Sequence, residues 1–567
     1  LSNKKNKILH LVPDKKSGIN TSRDILKKLL PLSGSEALNK LLAHDNPSAL
    51  VKTISKMDLF WLIKKIGGDD AIPLLKLTTN EQWQYILDME IWEKDLIDIN
   101  KTFDWINRLY KADPERLSHW LYSEDGNLPA HFYFSKNLEV KIKDDEDFIP
   151  PKGFITFDNL YYIRILDKEH EQEIEQILRS MALVDHNRYH ALLMGLSGMI
   201  PAEIEEEMYR LKGVRLSETG YLPFEEAISV YAYQNADQLK NNYSEYELYY
   251  PEEDDILDLI PITPLIISGG SNLFVISVSG IDDHLVLERL RLEFAGLCNQ
   301  ILSADNIEFE GIEVLRRITR KTSCYINIGL EELAQGDINI AEQYIRNHPL
   351  ISLFRVGFSL ALELKWESER WVKNAWFSKQ DLNFGFWGDK WGGALEGLLK
   401  DKPLFYVDED GDDNYRDFEK LEEIKHSRII LHRIILMDHL LEEITLKFPR
   451  IKDFSIDPTL NFYPIIFTFW ARDKLLLESV FTPLSLEEAR GFFDLMRDEE
   501  KAPPYTMNKF EETFTSDMTS LIDLTEKEDI DLFGETLSIL WRKFSEEYAM
   551  VRVSDLDAKF SRFILIQ

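Results

Sequence analysis

"ETGYLPFEEAISVY", residues 218–231, sets a turn glycine, an aliphatic two positions on, a proline and two glutamates ahead of an apolar stripe. Each part has a local physical reason. Gly220 suits a tight turn because it carries no Cβ. Pro223 suits the first turn of a helix, where its missing N–H is no loss. Glu225 and Glu226 place negative charge at the positive end of a helix. The stretch therefore predicts a helix that begins at Phe224.

The same order of residues recurs. "DLIDINKTFDWI" from Asp95, "GDINIAEQYI" from Gly336 and "TPLSLEEARGFF" from Thr482 each set a turn residue, an aliphatic and a polar or proline position ahead of a helical stripe. Asp98, Asn339 and Ser485 stand where a side-chain oxygen can cap free N–H groups. Helix starts in general use this vocabulary. Here, however, each instance follows a helical segment, and Gly220 lies 125 residues after Asp95 and 116 before Gly336. These features predict a diverged helical unit of roughly 120 residues repeated along the chain. Its helices should start near Asn100, Phe224, Ile340 and Leu486.

Around these starts the chain divides into segments of differing character. Residues 1–30 are a basic arm with eight lysines and arginines against Asp14 and Asp24, read as a flexible terminus, with docking on an acidic surface as the sharper reading. Residues 31–136 read as short helices in series, too short to be stable alone and so obliged to stack into a superhelix. Gly67 and Gly68 end one of them. Residues 137–166 form a small β insertion: "LEVKIK", "FITF" and "LYYIRIL" are β-branched and aromatic, and Asp158-Asn159 is a two-residue hairpin turn. Helical units are expected over 167–255, 256–382 and 416–567. Within them, 256–280 has strand-like composition and is left as a connector, 350–364 reads as a buried helix, and 383–415 is a connection rich in Gly, Trp and Asp. The predicted fold class is mainly α: stacked short helices with one small hairpin or sheet.

Composition excludes several function classes. The 567 residues carry 66 basic against 99 acidic side chains, a net charge of −33. Nucleic acid is therefore an unlikely main partner, because phosphate binding needs a basic surface. With 44% hydrophobic residues the chain can bury large cores. No membrane span and no signal peptide are expected. Cys298 and Cys324 have no metal-ligand spacing and point to a reducing, cytoplasmic setting.

"NPSALVKTISKMDLFWLIKKIGGDDAIPLLKLTTNEQWQYILDMEIWEKD", "GYLPFEEAISVYA", "LFRVGFSLALELKWESERW" and "WGGALEGLLKDKPLFY" together resemble an uncharacterised bacterial protein family over most of the chain, from residue 30 onward. The resemblance implies a mostly helical cytosolic protein and carries no activity or catalytic residues with it. In its short-helix rhythm alone, 45–110 also resembles the superhelical cytosolic domain of magnesium transporters. That rhythm assigns no magnesium site.

The search for chemistry returns few candidates. His186 and His190 in "DHNRYH" share a helical face next to Asp185, but Asn187 stands where a zinc protease needs glutamate, so the pair reads as a solvated face. Glu423 and His426 have the E-x-x-H spacing of di-iron bundles, with His432, Asp438, His439 and Glu442 further along; the second pair such a site needs is absent from the sequence. "DEDGDD" (408–413) fails the calcium-loop register on either side of Gly411. "SGGSN" (268–272) lacks the ending of a phosphate loop. No nucleophile elbow is present. In "NFGFWGDKWGGALEGLLKDKPLFY" (383–406), Phe384, Phe386, Trp387 and Trp391 alternate with glycines, and a buried aromatic cluster is favoured over a binding surface. No catalytic, cofactor-binding or metal-binding residue and no cofactor is assigned. The expectation is a non-enzymatic helical-repeat scaffold or adaptor with a protein partner. The alternatives are an enzyme or metal-dependent sensor built from dispersed His, Asp and Glu, or a factor that docks on an acidic surface or RNA through the basic arm.

Overall fold

The structure, a computed structural model, describes residues 22–93, 95–143, 149–196, 200–241, 261–268, 270–307, 311–408, 414–447, 461–478, 482–497 and 503–567. Helices dominate it, and the strands form only two-stranded antiparallel sheets. The chain divides into two compact units, Leu1–Gly357 and Phe358–Gln567, at a point inside the helix Leu350–Val372.

The first unit begins with short helices: Ser22–Leu29, Gly34–Leu42, Pro47–Thr53, Lys56–Ile66, Ile72–Leu75 and Asn80–Glu90. Their starts are fixed locally. Ser33 and Thr79 form capping boxes with Glu36 and Gln82, and Asn46 and Ser55 also cap. Gly67 ends its helix with φ +101°. None of these helices has the length to stand alone, and their apolar faces merge into one core that includes Leu41, Leu74, Trp83, Trp120 and Tyr133.

The strand pair lies where the sequence predicts it. Leu138–Ile142 runs antiparallel to Tyr161–Ile165, with Val140 opposite Ile163. "FITF" contributes only a single bridge, Ile155 to Ile163, because the longer partner of 161–165 is the more distant 138–142. The turn falls at the predicted place but is not a two-residue one: Ile155 opposite Ile163 centres it on Asn159, which takes φ +59°, while Asp158 accepts the N–H groups of Leu160 and Tyr161. Two further hairpins of two residues per strand, Trp92–Glu93 with Leu96–Ile97 and Phe405–Tyr406 with Tyr415–Arg416, were not expected.

All four predicted helix starts are present, at Ile99, Phe224, Ile338 and Leu486. Asp98 and Ser485 cap as expected, but Asn339 does not. Asp337 caps that helix instead, accepting from the N–H groups of Asn339 and Ile340 at 2.8 and 3.1 Å. The elements ahead of the starts differ. A hairpin precedes Asp98, the 23-residue helix Ile312–Ala334 precedes Asp337, and Leu484 ahead of Ser485 bridges to Ile566.

The connector 256–280 is helical in its described part, over Thr263–Ser268 and Leu273–Ser279. Asp58, buried, supplies the reason: its carboxylate accepts the N–H groups of Ile262 and Thr263, so the β-branched run enters a helix with its free donors satisfied. Further on, the helices Ile312–Ala334 and Leu350–Val372 touch backbone to backbone: a Cβ on Gly329 would fall 2.2 Å from the Leu353 carbonyl oxygen.

In the second unit, the expected connection 383–415 is largely folded, as a 3-10 turn Phe384–Trp387 and a helix Gly388–Leu399. Its glycines serve close packing rather than looseness. A Cβ on Gly392 would meet the Phe384 carbonyl oxygen at 2.2 Å, and one on Gly393 would meet the Tyr406 ring at 2.5 Å. Trp387 is buried among Trp371, Phe377, Phe386 and Phe462, as the buried-cluster reading expects. Beyond the helix Leu421–Lys447, an aromatic core forms around Phe467, which stacks on Phe514 and Phe544 at 5.1 and 4.4 Å. Among the described residues no helix is long and apolar enough to cross a membrane.

Candidate functional site

The opening stretch and one of its relatives meet in space. Tyr221, Leu222, Pro223 and Phe224 line a cleft of 620 Å³ in the first unit, and so do Asp95, Lys101, Asp104 and Trp105 from the stretch that begins at Asp95. The helix Pro201–Ser217 supplies Tyr209, Lys212 and Leu216, and the end of His284–Ala304 leads into Asn306 and Ile307 on the opposite wall. Such a volume lies in the range of ligand pockets and can seat one or two side chains of a partner segment.

The floor is aromatic and the rim is charged. Trp92 is buried and meets Tyr209 edge to face at 5.6 Å. Lys212 Nζ lies 4.6 Å from the centre of the Trp92 ring and 5.7 Å from that of Tyr209. Burial pushes the Lys212 amine down to about 8, against the pull of nearby Asp88. Asp88 is itself held by Arg215 through two contacts of 2.7 Å, and Glu90 pairs with Lys64 at 2.8 Å. Arg108 stacks on Trp105 at 4.9 Å and pairs with Asp69. Lys212 thus holds a partly dehydrated cation on a ring face, while two of the cleft's acids are committed to other bases. Tyr209 and Phe224, which line the cleft, remain 44% and 50% exposed.

The residues singled out from the sequence are scattered. His186 is exposed at the start of His186–Leu196, and His190 is half-buried one turn on. Asp158, from the hairpin turn, reaches them: its Oδ2 lies 2.7 Å from His190 Nε2. Sequence reasoning noted the adjacent Asp185, which caps the helix through the Arg188 N–H, and missed Asp158, 28 residues before His186. The residues of Leu421–Lys447 go to separate partners. Glu423 pairs with Arg416, His432 with Glu367, and Glu442 with Lys379, while Asp438 accepts the N–H groups of Trp376 and Phe377. His426 is exposed, and His439 faces Glu443 at 3.9 Å. They do not converge on one point. Cys298 and Cys324 are both buried thiols, and burial pushes the Cys298 thiol up to about 12, far from a reactive thiolate. Asn272 of "SGGSN" caps the helix Leu273–Ser279. Most of "DEDGDD" (409–413) and the arm up to residue 21 lie outside the described residues.

The chain belongs to a family of unknown function, DUF6178, whose family model matches residues 14–567. No curated protein and no solved structure matches it significantly. The likeness of 45–110 to the magnesium-transporter domain thus finds no support in these comparisons.

Proposed function

We propose that this protein is a non-enzymatic cytoplasmic scaffold or adaptor built of stacked helices, and that the cleft between Trp92, Tyr209, Lys212 and Phe224 receives an extended segment of a partner protein. The observation that carries this reading is the pairing of a half-buried cation with half-exposed aromatics at one mouth. Charge complementarity defines the occupant. On a chain of net charge −33, Lys212 offers a dehydrated amine that makes no ion pair within the described residues. An acidic side chain satisfies that amine, and a large apolar neighbour covers Tyr209 and Phe224. Short anchors of this kind supply most of the energy of a peptide contact. Stacked helices leave such grooves between them, and two buried thiols fit a reducing compartment.

The test is selection of a displayed random-peptide library on the purified chain. Enrichment of peptides with an acidic residue beside an aromatic or aliphatic one is expected, with binding lost in Lys212→Ala and Phe224→Ala at unchanged melting temperature. Failure to enrich any motif, or a motif that binds both variants as well as the native chain, overturns the proposal.

A further inference from the structure

Asp158, His186 and His190 come together from a hairpin turn and a helix that the sequence keeps 28 residues apart. Each offers one ligand atom, and these atoms all lie within 4.8 Å of one another. We propose that these three side chains form a binding site for a divalent first-row transition ion of the zinc class.

The carboxylate is preorganised for the role. Asp158 Oδ1 accepts the N–H groups of Leu160 and Tyr161 at 2.7 and 2.8 Å and the Thr156 hydroxyl at 3.2 Å. The side chain is 2% exposed, so its orientation is fixed by the turn. Oδ2 is left directed at the histidines, 2.7 Å from His190 Nε2. Hydrogen bonds of this kind to the non-ligating oxygen are what orient a metal-binding carboxylate.

The histidines complete the set by helical geometry. Four residues apart, they lie on one face, with ring centres 4.1 Å apart. Ligand atoms around a zinc-class ion stand about 3–4 Å from one another. A small rotation of the exposed His186 ring brings its nitrogen into that range, and Oδ2 and His190 Nε2 move apart as the ion enters between them.

The donor set selects the ion. Two imidazoles and one carboxylate suit zinc, cobalt, nickel or iron, whereas calcium and magnesium prefer oxygen ligands throughout. Three protein ligands at a partly exposed position leave room for water, which marks an exchangeable site rather than a closed structural one. The competing explanation is a purely structural Asp158–His190 hydrogen bond that pins the hairpin to the helix. The two differ at His186, which packs on the His190 ring and which a structural pair does not need.

The experiment strips the full-length chain with a chelator and titrates it with Zn²⁺ by calorimetry, and with Co²⁺ by visible absorption. One equivalent is expected, with Mg²⁺ and Ca²⁺ taken up far more weakly. His186→Ala should weaken Zn²⁺ binding at least tenfold at unchanged melting temperature, and His190→Ala should weaken it as much while also losing the hydrogen bond to Asp158. Absence of a stoichiometric Zn²⁺ event, or equal Zn²⁺ affinity in native chain and His186→Ala, overturns the proposal. Because His186 is exposed, its variant folds whether or not Asp158 and His190 are needed to hold the hairpin.

Discussion

Gly220 packs against Gly296 so closely that a Cβ on Gly220 would fall 2.7 Å from the Gly296 Cα. Gly220 also has φ +86°, a region L side chains rarely enter. Gly220→Ala should therefore destabilise the first unit by about 2–3 kcal/mol, through strain and overpacking together. The reciprocal change behaves oppositely. A Cβ on Gly296 meets no atom within 4 Å, and that residue sits inside the helix His284–Ala304. Gly296→Ala should stabilise by about 0.5–1 kcal/mol from helix propensity. Denaturant unfolding of both variants checks the pair, and equal effects would remove the proposed contact.

Trp387 and Trp391 should separate into core and rim. Trp387 is 1% exposed and surrounded by four aromatic rings, whereas Trp391 is half-buried and stacks on Phe462 at 5.4 Å. Trp387→Ala should cost about 3–5 kcal/mol through lost burial and a cavity. The Trp387 indole N–H has no hydrogen-bond partner among the described residues, so Trp387→Phe loses packing only and should cost much less. Thermal unfolding that ranks Trp391→Ala as the more damaging change contradicts this assignment.

The ion pair of His432 with Glu367, at 2.8 Å, predicts a pH window in the second unit. The hydrogen bond to Glu367 raises His432 above 6.5, and the same bond holds Glu367 below 4.5. The His432 contribution is complete below pH 6.5 and fades as pH rises through its raised value. The Glu367 contribution is complete above pH 4.5 and fades as pH falls through its lowered value. Native chain should exceed His432→Gln in stability most between pH 4.5 and 6.5, by less than about 1 kcal/mol for so exposed a pair. A difference that grows above pH 8 would show that the pair is not the cause.

What the sequence revealed was local. Asp98 and Ser485 announce their helices because a cap needs only the next few residues, and Asp158-Asn159 announces its turn for the same reason. The misplaced Asn339 shows the limit: a neighbouring aspartate, Asp337, made the better cap. Residues 383–415 misled because glycine reads as flexibility, while here it lets the Phe384 backbone and the Tyr406 ring approach a helix. Neither candidate site could be read directly. The cleft joins stretches more than a hundred residues apart, and Asp158 meets its histidines only once the hairpin and helix have packed. No local periodicity encodes such a meeting.

Lys212 gives the most direct test of the cleft. Its amine rests on Trp92 and Tyr209 with its usual value of 10.5 pushed down to about 8 by burial. Competitive acylation followed across pH by mass spectrometry should therefore give a midpoint near 8 for the Lys212 peptide, well below the 10.5 of a free lysine side chain. At neutral pH this makes roughly a tenth of Lys212 reactive, against far less than one per cent of an ordinary lysine. Trp92→Ala opens the floor to water and should carry the midpoint upward. An acidic peptide seated in the cleft should do the same by favouring the charged amine, while also shielding it from reagent. A Lys212 midpoint above 10 in the free chain would mean that the amine is fully hydrated, and the cleft would then lack the buried cation on which its proposed partner depends.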